Sequence, residues 1–348
     1  MLNLLPLAHA IGKRLGRLAP RPLQAVAKRS WQIAAGEVST PGPAYFLSNQ
    51  LERVTGWAFA DEHPGRQMSG GVPVAHAPTR GYEIEDAWLI DGVLYKDDAC
   101  LHLHPRRHRW LDLRVENEVA RGAVYSTPGG LRYFGQWLMD DCPTYPLAAA
   151  EGVPVTTNQP TGPHVPAYEE WFGMRPLRLP NAHLRELVVF DDVGQNRHKH
   201  QRFRNLGDQL RARVSAQPHP GVFILRGRTG LRRVLRNEME LAFRLRDRRG
   251  FRIVDPEASE VPSIVAACAG ARTVVGVEGS ALLHGMLLLP PGGAVVALQP
   301  PNRFVGLLKH LTDRDGQHFG FVVGAPERGD FRVDGDELER TLDLLPPG

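Results

Sequence analysis

The 348-residue sequence has only three cysteines, Cys100, Cys142 and Cys268. An odd number at such wide spacing builds neither a disulfide framework nor a paired-cysteine zinc site, and it points to a reducing compartment. No run of eighteen apolar residues occurs. The best candidate, 280–298, is broken by His284, Pro290, Pro291, Gly292 and Gly293, so no spanning helix is expected. Residues 1–36 contain no Asp or Glu at all. Their apolar start, Leu4 to Ala10, is short and the positive charges follow it, the reverse of a secretory leader. A cytoplasmic location is therefore expected. A Gly-x-Gly-x-x-Gly fingerprint is also missing, which argues against an NAD-dependent oxidoreductase. The nearest approach to an Asp-x-Asp metal motif, Asp313-Arg314-Asp315, reads as a helix-ending turn before Gly316.

What is present is a loop-rich globular composition, with 42% hydrophobic residues, 36 Gly and 29 Pro, enough for one large domain or two. The net charge of +4 is spread unevenly. Residues 1–36 carry +6 through Lys13, Arg14, Arg17, Arg21, Lys28 and Arg29, and residues 197–252 carry +12, leaving −14 elsewhere. That pattern suggests two separate anionic partners and no diffuse nucleic-acid surface.

At 100° per residue, Leu4, Ala8, Ile11, Leu15 and Leu18 share one arc, with Lys13, Arg14, Arg17 and Arg21 on its flank and Pro20 and Pro22 ending it. Such a basic amphipathic helix suits contact with an anionic membrane surface through residues 4–21. The plainer reading is a helix packed on its domain with a solvated basic face.

The next segment, from about Tyr45 to Ser126, reads as short strands and turns, including a hairpin at Asp91-Gly92. A helical stretch, 131–150, is interrupted by Pro143 and Pro146. Residues 151–180 are Pro-rich and are expected to join two halves, giving segments 1–36, 37–180 and 181–348. In the second half, apolar runs alternate with helical patterns: strands at 187–190, 222–225, 251–254, 273–277 and 294–298, and helices at 198–214, 238–249, 261–269, 280–289 and 304–311. Short buried strands alternating with longer helices predict an α/β domain with a doubly wound parallel sheet.

Ligands of such sheets bind beyond the carboxyl ends of the strands. Two ends carry chemistry. Arg226 leaves the strand at 222–225 and opens a basic loop through Arg228, Arg232 and Arg233, suited to a diphosphate. Many other arginines here, Arg244, Arg246, Arg248 and Arg249 among them, fit solvated helix faces. Glu278-Gly279-Ser280 follows the strand at 273–277; the glycine lets a ligand approach, and Glu278 suits ribose hydroxyls. His284, one turn on, fits a ligand contact or a buried helix position equally. In the first half, Gln136 and Asp140 lie four apart, with Trp137 beside them. A carboxylate just before Pro143 suits a general base, and Asp140 and Asp141 are both candidates. The alternative is that these carboxylates bond locally near the helix break. His102, His104 and His108 lie near Arg106 and Arg107, which disfavours a metal site.

Residues 272–298, with Arg272 to Gly285 leading into Leu289-Pro290-Pro291-Gly292-Gly293, resemble glycosyltransferase family 61, the group that includes bacterial capsular polysaccharide biosynthesis proteins. Phe223-Ile224-Leu225-Arg226 with Arg233 to Glu238, and Trp137-Leu138-Met139-Asp140-x-x-Pro143, are similar to further family motifs. Glu278 and Gln136 stand where many members have His, and His284 stands where many have Asn. The resemblance implies a GT-B architecture of two Rossmann-like domains facing a cleft, acting without a metal or other cofactor and inverting the anomeric centre. It implies a nucleotide-sugar donor and a glycan acceptor, with Asp140 favoured over Asp141 as base. Arg226 and Arg233 would face the nucleotide diphosphate, and Asn237, Glu238, Glu278, Gly279, Ser280, His284, Gln136 and Trp137 would belong to the substrate sites. A non-catalytic nucleotide- or glycan-binding relative is the alternative.

Overall fold

The computed structural model describes residues 3–16, 19, 21–59, 64–105, 114–158, 161–227 and 233–347, without the Lys13 side chain. The chain divides into two compact units, 1–37 with 77–202 and 38–76 with 203–348.

The first unit is built on eight strands: β1 (Arg29–Ala34), β2 (Thr79–Ile90), β3 (Val93–Lys96), β4 (Ala99–His102), β5 (Asn117–Val124), β6 (Val153–Thr157), β7 (Leu177–Leu179) and β8 (Asn181–Asp191). Their order is β4-β3-β2-β8-β5-β6-β7, with β1 also pairing with β2. The β2–β3 hairpin turns at Asp91 and Gly92, both at positive φ (46° and 75°), as the twist of a two-residue hairpin demands. Strands β8, β5, β6 and β7 are mutually parallel, whereas β2 runs antiparallel to β8. From β5 the chain steps outward to β6 and β7, then returns to lay β8 on the other side of β5. The two connections leave in opposite directions, so β5 and β8 flank a topological switch point.

Two expectations change here. Residues 151–180 are no linker: they supply β6, the helix Val165–Phe172 and β7. Pro166 sits in that helix's first turn, where no N–H is needed. Strand β8, expected to begin the C-terminal half at 181, is interior to the first sheet because Leu184, Leu187 and Val188 are wholly buried there.

The second unit has five parallel strands: β9 (His219–Ile224), β10 (Arg252–Val254), β11 (Ala271–Val277), β12 (Ala294–Gln299) and β13 (His318–Val323). They are ordered β10-β9-β11-β12-β13, and the switch point lies between β9 and β11. The parallel sheet expected from the apolar runs is present, since strands covered on both faces read as continuous Val, Leu and Ala. The helix expected over 238–249 is Glu238–Arg249, and Gly250 ends it in the left-handed region. The one expected at 280–289 shrinks to Leu282–Met286. Segment 38–76, assigned by sequence to the N-terminal half, pairs instead with the edge of β13: Tyr45 N–H donates to Phe319 C=O (2.8 Å) and Phe321 N–H to Tyr45 C=O (3.1 Å). That pairing spans almost the whole sequence, and no local pattern announces it.

The N-terminal helix runs Leu5–Arg14, and Arg17, Leu18 and Pro20 of the expected pattern lie outside the described residues. It packs through Pro6 and His9, whose Nε2 lies 2.8 Å from Asp97 C=O and whose ring stands edge-on to Tyr95. Leu4, Ile11 and Leu15 remain 55%, 46% and 60% exposed.

Phe223 on β9 is fully buried in the core of the second unit. Phe223→Ala is expected to cost about 3–5 kcal/mol, read as a lower denaturant midpoint; an unmoved midpoint would take this ring out of the core.

Candidate functional site

The first switch point is built on a distorted helix. Residues 134–151 form an α-turn (Phe134–Gln136), a π-turn (Trp137–Asp141) and an α-helix (Cys142–Glu151). Pro143 and Pro146 cannot donate, and the ladder widens so that Cys142 N–H reaches Trp137 C=O, five residues back. Thr144 Oγ1 lies 2.8 Å from the Asp140 carbonyl. The wide turn carries Asp140 and Asp141.

Asp140 Oδ1 accepts from Lys199 Nζ at 2.5 Å. The lysine side chain is 1% exposed and that of Asp140 16%. Lys199 Nζ also donates to Asp192 C=O (2.7 Å), just beyond β8. Asp192 in turn takes a two-pronged bond from Arg202 (2.9 and 2.8 Å), with Thr79 Oγ1 and Thr144 Oγ1 at 2.8 and 2.7 Å. Burial pushes the Asp192 carboxyl up, but Arg202, Lys199 and Thr144 outweigh it and hold it below the usual range. The result is an ionised anchor at the end of β8, tied through Lys199 to a partly open carboxylate.

Asp141 is its opposite. It is fully buried, with Oδ1 accepting from Thr127 N–H and Oγ1 (3.0 and 2.8 Å) and Oδ2 without a hydrogen bond. A Cβ on Gly130 would fall 2.1 Å from that Oδ2. Burial raises its carboxyl well above the usual range, and the Thr127 bonds only partly offset this. Asp141 thus realises the local, structural alternative, whereas Asp140 keeps an exposed edge. Trp137, buried, forms part of the wall of a cavity in this unit. Gln136 is partly exposed and packs its carboxamide against Gly129.

At the second switch point, arginines converge on Glu278. Arg226 and Arg233 donate to its carbonyl at 3.1 and 2.8 Å. Arg233 also contacts its carboxylate, and Arg303, beyond β12, lies 3.4 Å from the same Oε2. Gly279 has φ 147°, and a Cβ there would fall 2.2 Å from Arg226 Nη1, so only glycine lets the guanidinium close on this corner. Arg226 N–H bonds Glu238 Oε1 at 2.8 Å. Burial lowers the affinity of the Arg226 guanidinium for its proton and raises the Glu238 carboxyl.

The other expected residues divide. Ser280 is partly exposed at the corner. His284 is buried in the Leu282–Met286 helix, the interior alternative. Asn237 precedes the Glu238–Arg249 helix as expected, but its amide is committed to the backbone of Val333 (2.8 and 3.2 Å). Arg228, Thr229, Gly230, Leu231 and Arg232 of the basic loop lie outside the described residues, as do Arg106, Arg107 and His108. Among the described residues no three His, Cys, Asp or Glu side chains are grouped to hold a metal. The positive excess over 197–252 is not one diphosphate patch. Lys199 and Arg202 serve the first unit, and Arg244, Arg248 and Arg249 pair with Asp336, Glu339 and Asp343. Sequence reasoning missed Lys199 and Arg303: Lys199 is masked by the number of basic neighbours around it, and Arg303 stands alone in the loop after a strand with no local pattern to mark it.

Because the Asp141 carboxyl is raised in the folded chain, the folded state holds that proton where the unfolded chain has lost it. Stability contributed by the group therefore falls as pH rises above about 4, the ordinary carboxyl range. Asp141→Asn is expected to remove that slope, so its stability relative to wild type rises with pH in denaturant melts. Parallel pH profiles would contradict a raised carboxyl.

No curated protein matches the chain. Residues 134–296, a span running from the π-turn helix to β12 and so containing Asp140, Lys199, Arg226 and Glu278, match the family model Glycosyltransferase 61. That match covers somewhat under half of the chain and makes this part of it similar to glycosyltransferase family 61.

Proposed function

We infer that the protein is an inverting, metal-independent glycosyltransferase of the GT-B type. It moves a sugar from a nucleotide-sugar donor to a glycan acceptor in capsular or surface polysaccharide synthesis, at a cytoplasmic site. The observation that carries this reading is Asp140, a partly open carboxylate held by buried Lys199 at the first switch point. Lys199 engages Oδ1, so Oδ2 is the oxygen offered to the acceptor hydroxyl. Asp140 takes the hydroxyl proton as the acceptor oxygen bonds to the anomeric carbon and the bond to the diphosphate breaks. The departing nucleoside diphosphate carries away the electron pair, and Arg226, Arg233 and Arg303 supply the positive charge that stabilises it.

A second reading, a nucleotide- or glycan-binding relative without transfer, draws support from Glu278, whose carboxylate already engages Arg233 and Arg303. Release of nucleoside diphosphate from a nucleotide sugar by the purified protein separates the two, because a pure binder releases none.

A thermal-shift screen of nucleoside diphosphates identifies the base, and a nucleotide-sugar panel then identifies the donor. Asp140→Asn is expected to lower transfer by about 10²–10⁴-fold, and undiminished transfer would remove it as base. Arg226→Ala is expected to weaken nucleoside diphosphate binding by about 1–3 kcal/mol in calorimetry. Activity is expected to persist in EDTA.

Peripheral membrane contact through residues 4–21 belongs to the same reading. The exposed Leu4, Ile11 and Leu15 side chains supply the apolar edge, and the basic residues supply attraction to anionic lipid. Cosedimentation with phosphatidylglycerol vesicles is expected, and it should be lost when these three residues become Ser. No cosedimentation by wild type would end this part of the reading.

A further inference from the structure

A cavity in the first unit, about 330 Å³, opens beyond the carboxyl ends of β5 and β6. That volume is at the small end of the range for ligand pockets, room for a sugar unit and not for a nucleotide sugar. One wall is aromatic. Trp137 and Phe134 stand 5.9 Å apart, and both pack on Tyr168, at 6.5 and 5.8 Å, so the indole is held in place. The other wall is polar, with Ser126 and Thr156 hydroxyls 2.6 Å from each other at the strand ends. Glu169, 7% exposed, also lines the cavity, and its Oε1 accepts from Arg178 at 2.5 Å.

Each feature fits one class of ligand. An apolar ring face with hydroxyls around its edge matches an aromatic wall on one side and hydroxyl, carboxylate and guanidinium groups on the other. A flat apolar molecule would leave the Glu169–Arg178 pair without hydrogen-bonding company, and a phosphate would meet the Glu169 carboxylate. Trp137 and Asp140 are three residues apart on the same wide turn.

We propose that this cavity is a subsite for one pyranose residue of the acceptor glycan, packed against the aromatic wall of Phe134 and the edge of Trp137 and held through its hydroxyls by Glu169 and Arg178. The assignment rests on the glycosyltransferase reading, and it adds where one ring of the acceptor sits. It places a sugar ring against the distorted helix that also carries the proposed base.

The test uses saturation-transfer NMR on the full chain with methyl glucoside, galactoside, mannoside and N-acetylglucosaminide, alongside calorimetry with the nucleoside diphosphate selected above. Gly162, exposed and lining the cavity, has nothing within 4 Å of an added Cβ, so a side chain is accommodated there and Gly162→Phe is the variant chosen to obstruct the mouth. At least one pyranoside is expected to bind wild type at millimolar concentration. Gly162→Phe should abolish the signal, and Glu169→Gln should weaken binding by about tenfold or more. Both variants should bind nucleoside diphosphate as wild type does. Absence of any pyranoside signal from wild type overturns the subsite, as does binding that ignores both variants. Loss of nucleoside diphosphate binding by wild type would instead count against the parent reading, with the sugar result standing separately.

Discussion

Arg202 and Asp192 form the buried ion pair on which the first switch point depends. The guanidinium grips both carboxylate oxygens and also donates to Pro143 C=O at 2.6 Å. It thereby ties the end of β8 to the distorted helix. Taking two charges out of water is costly, and such a pair holds only when further hydrogen bonds complete it. Thr79 and Thr144 do so here, with Asn196 Nδ2 on Thr79 Oγ1 at 3.0 Å. Lys199 is then placed from two directions, through its backbone N–H on Asn196 Oδ1 (3.1 Å) and its ammonium on Asp192 C=O. Asp140 is the last member of this chain of dependence and the only carboxylate in it with an edge toward solvent.

The two neighbouring aspartates illustrate how a fold sorts like groups into unlike roles. They differ by one position on a π-turn, yet one faces a buried ammonium and the other faces Gly130 and Thr127. Neighbouring positions on a helical turn point in different directions, and here the two directions meet different surroundings. The prolines that cause the widening are thus part of the site's construction, although neither offers a reactive group.

Elements whose signal is local were readable from the residues. The buried strands of the second unit announce themselves as unbroken Val, Leu and Ala runs, and Asn237 with Gly250 brackets a helix at its true ends. Arg226 and Glu278 were found because each is the first charged group after such a run. What escaped was non-local. Tyr45 adds to the edge of β13 across more than 270 residues of chain, and β8 joins the first sheet although its apolar pattern resembles the strands that follow it. Proline content misled at 151–180, where Pro166 starts a helix instead of marking a linker. Lys199 carries no distinguishing local pattern, because its significance lies in the burial that surrounds it. Trp137 was legible as an anchor, but the cavity it walls is assembled from several separate segments and has no linear trace.

Glu278 gives the second switch point an unusual character. Its carboxylate already occupies guanidinium groups that face the strand ends, so an anion arriving there does not enter an empty positive pocket. It exchanges with a resident one. The net gain in charge neutralisation is then smaller than the number of arginines suggests, and the interaction is correspondingly less sensitive to salt. Any anion that bound there would have to displace a tethered carboxylate, so multiply charged groups would be favoured over single ones.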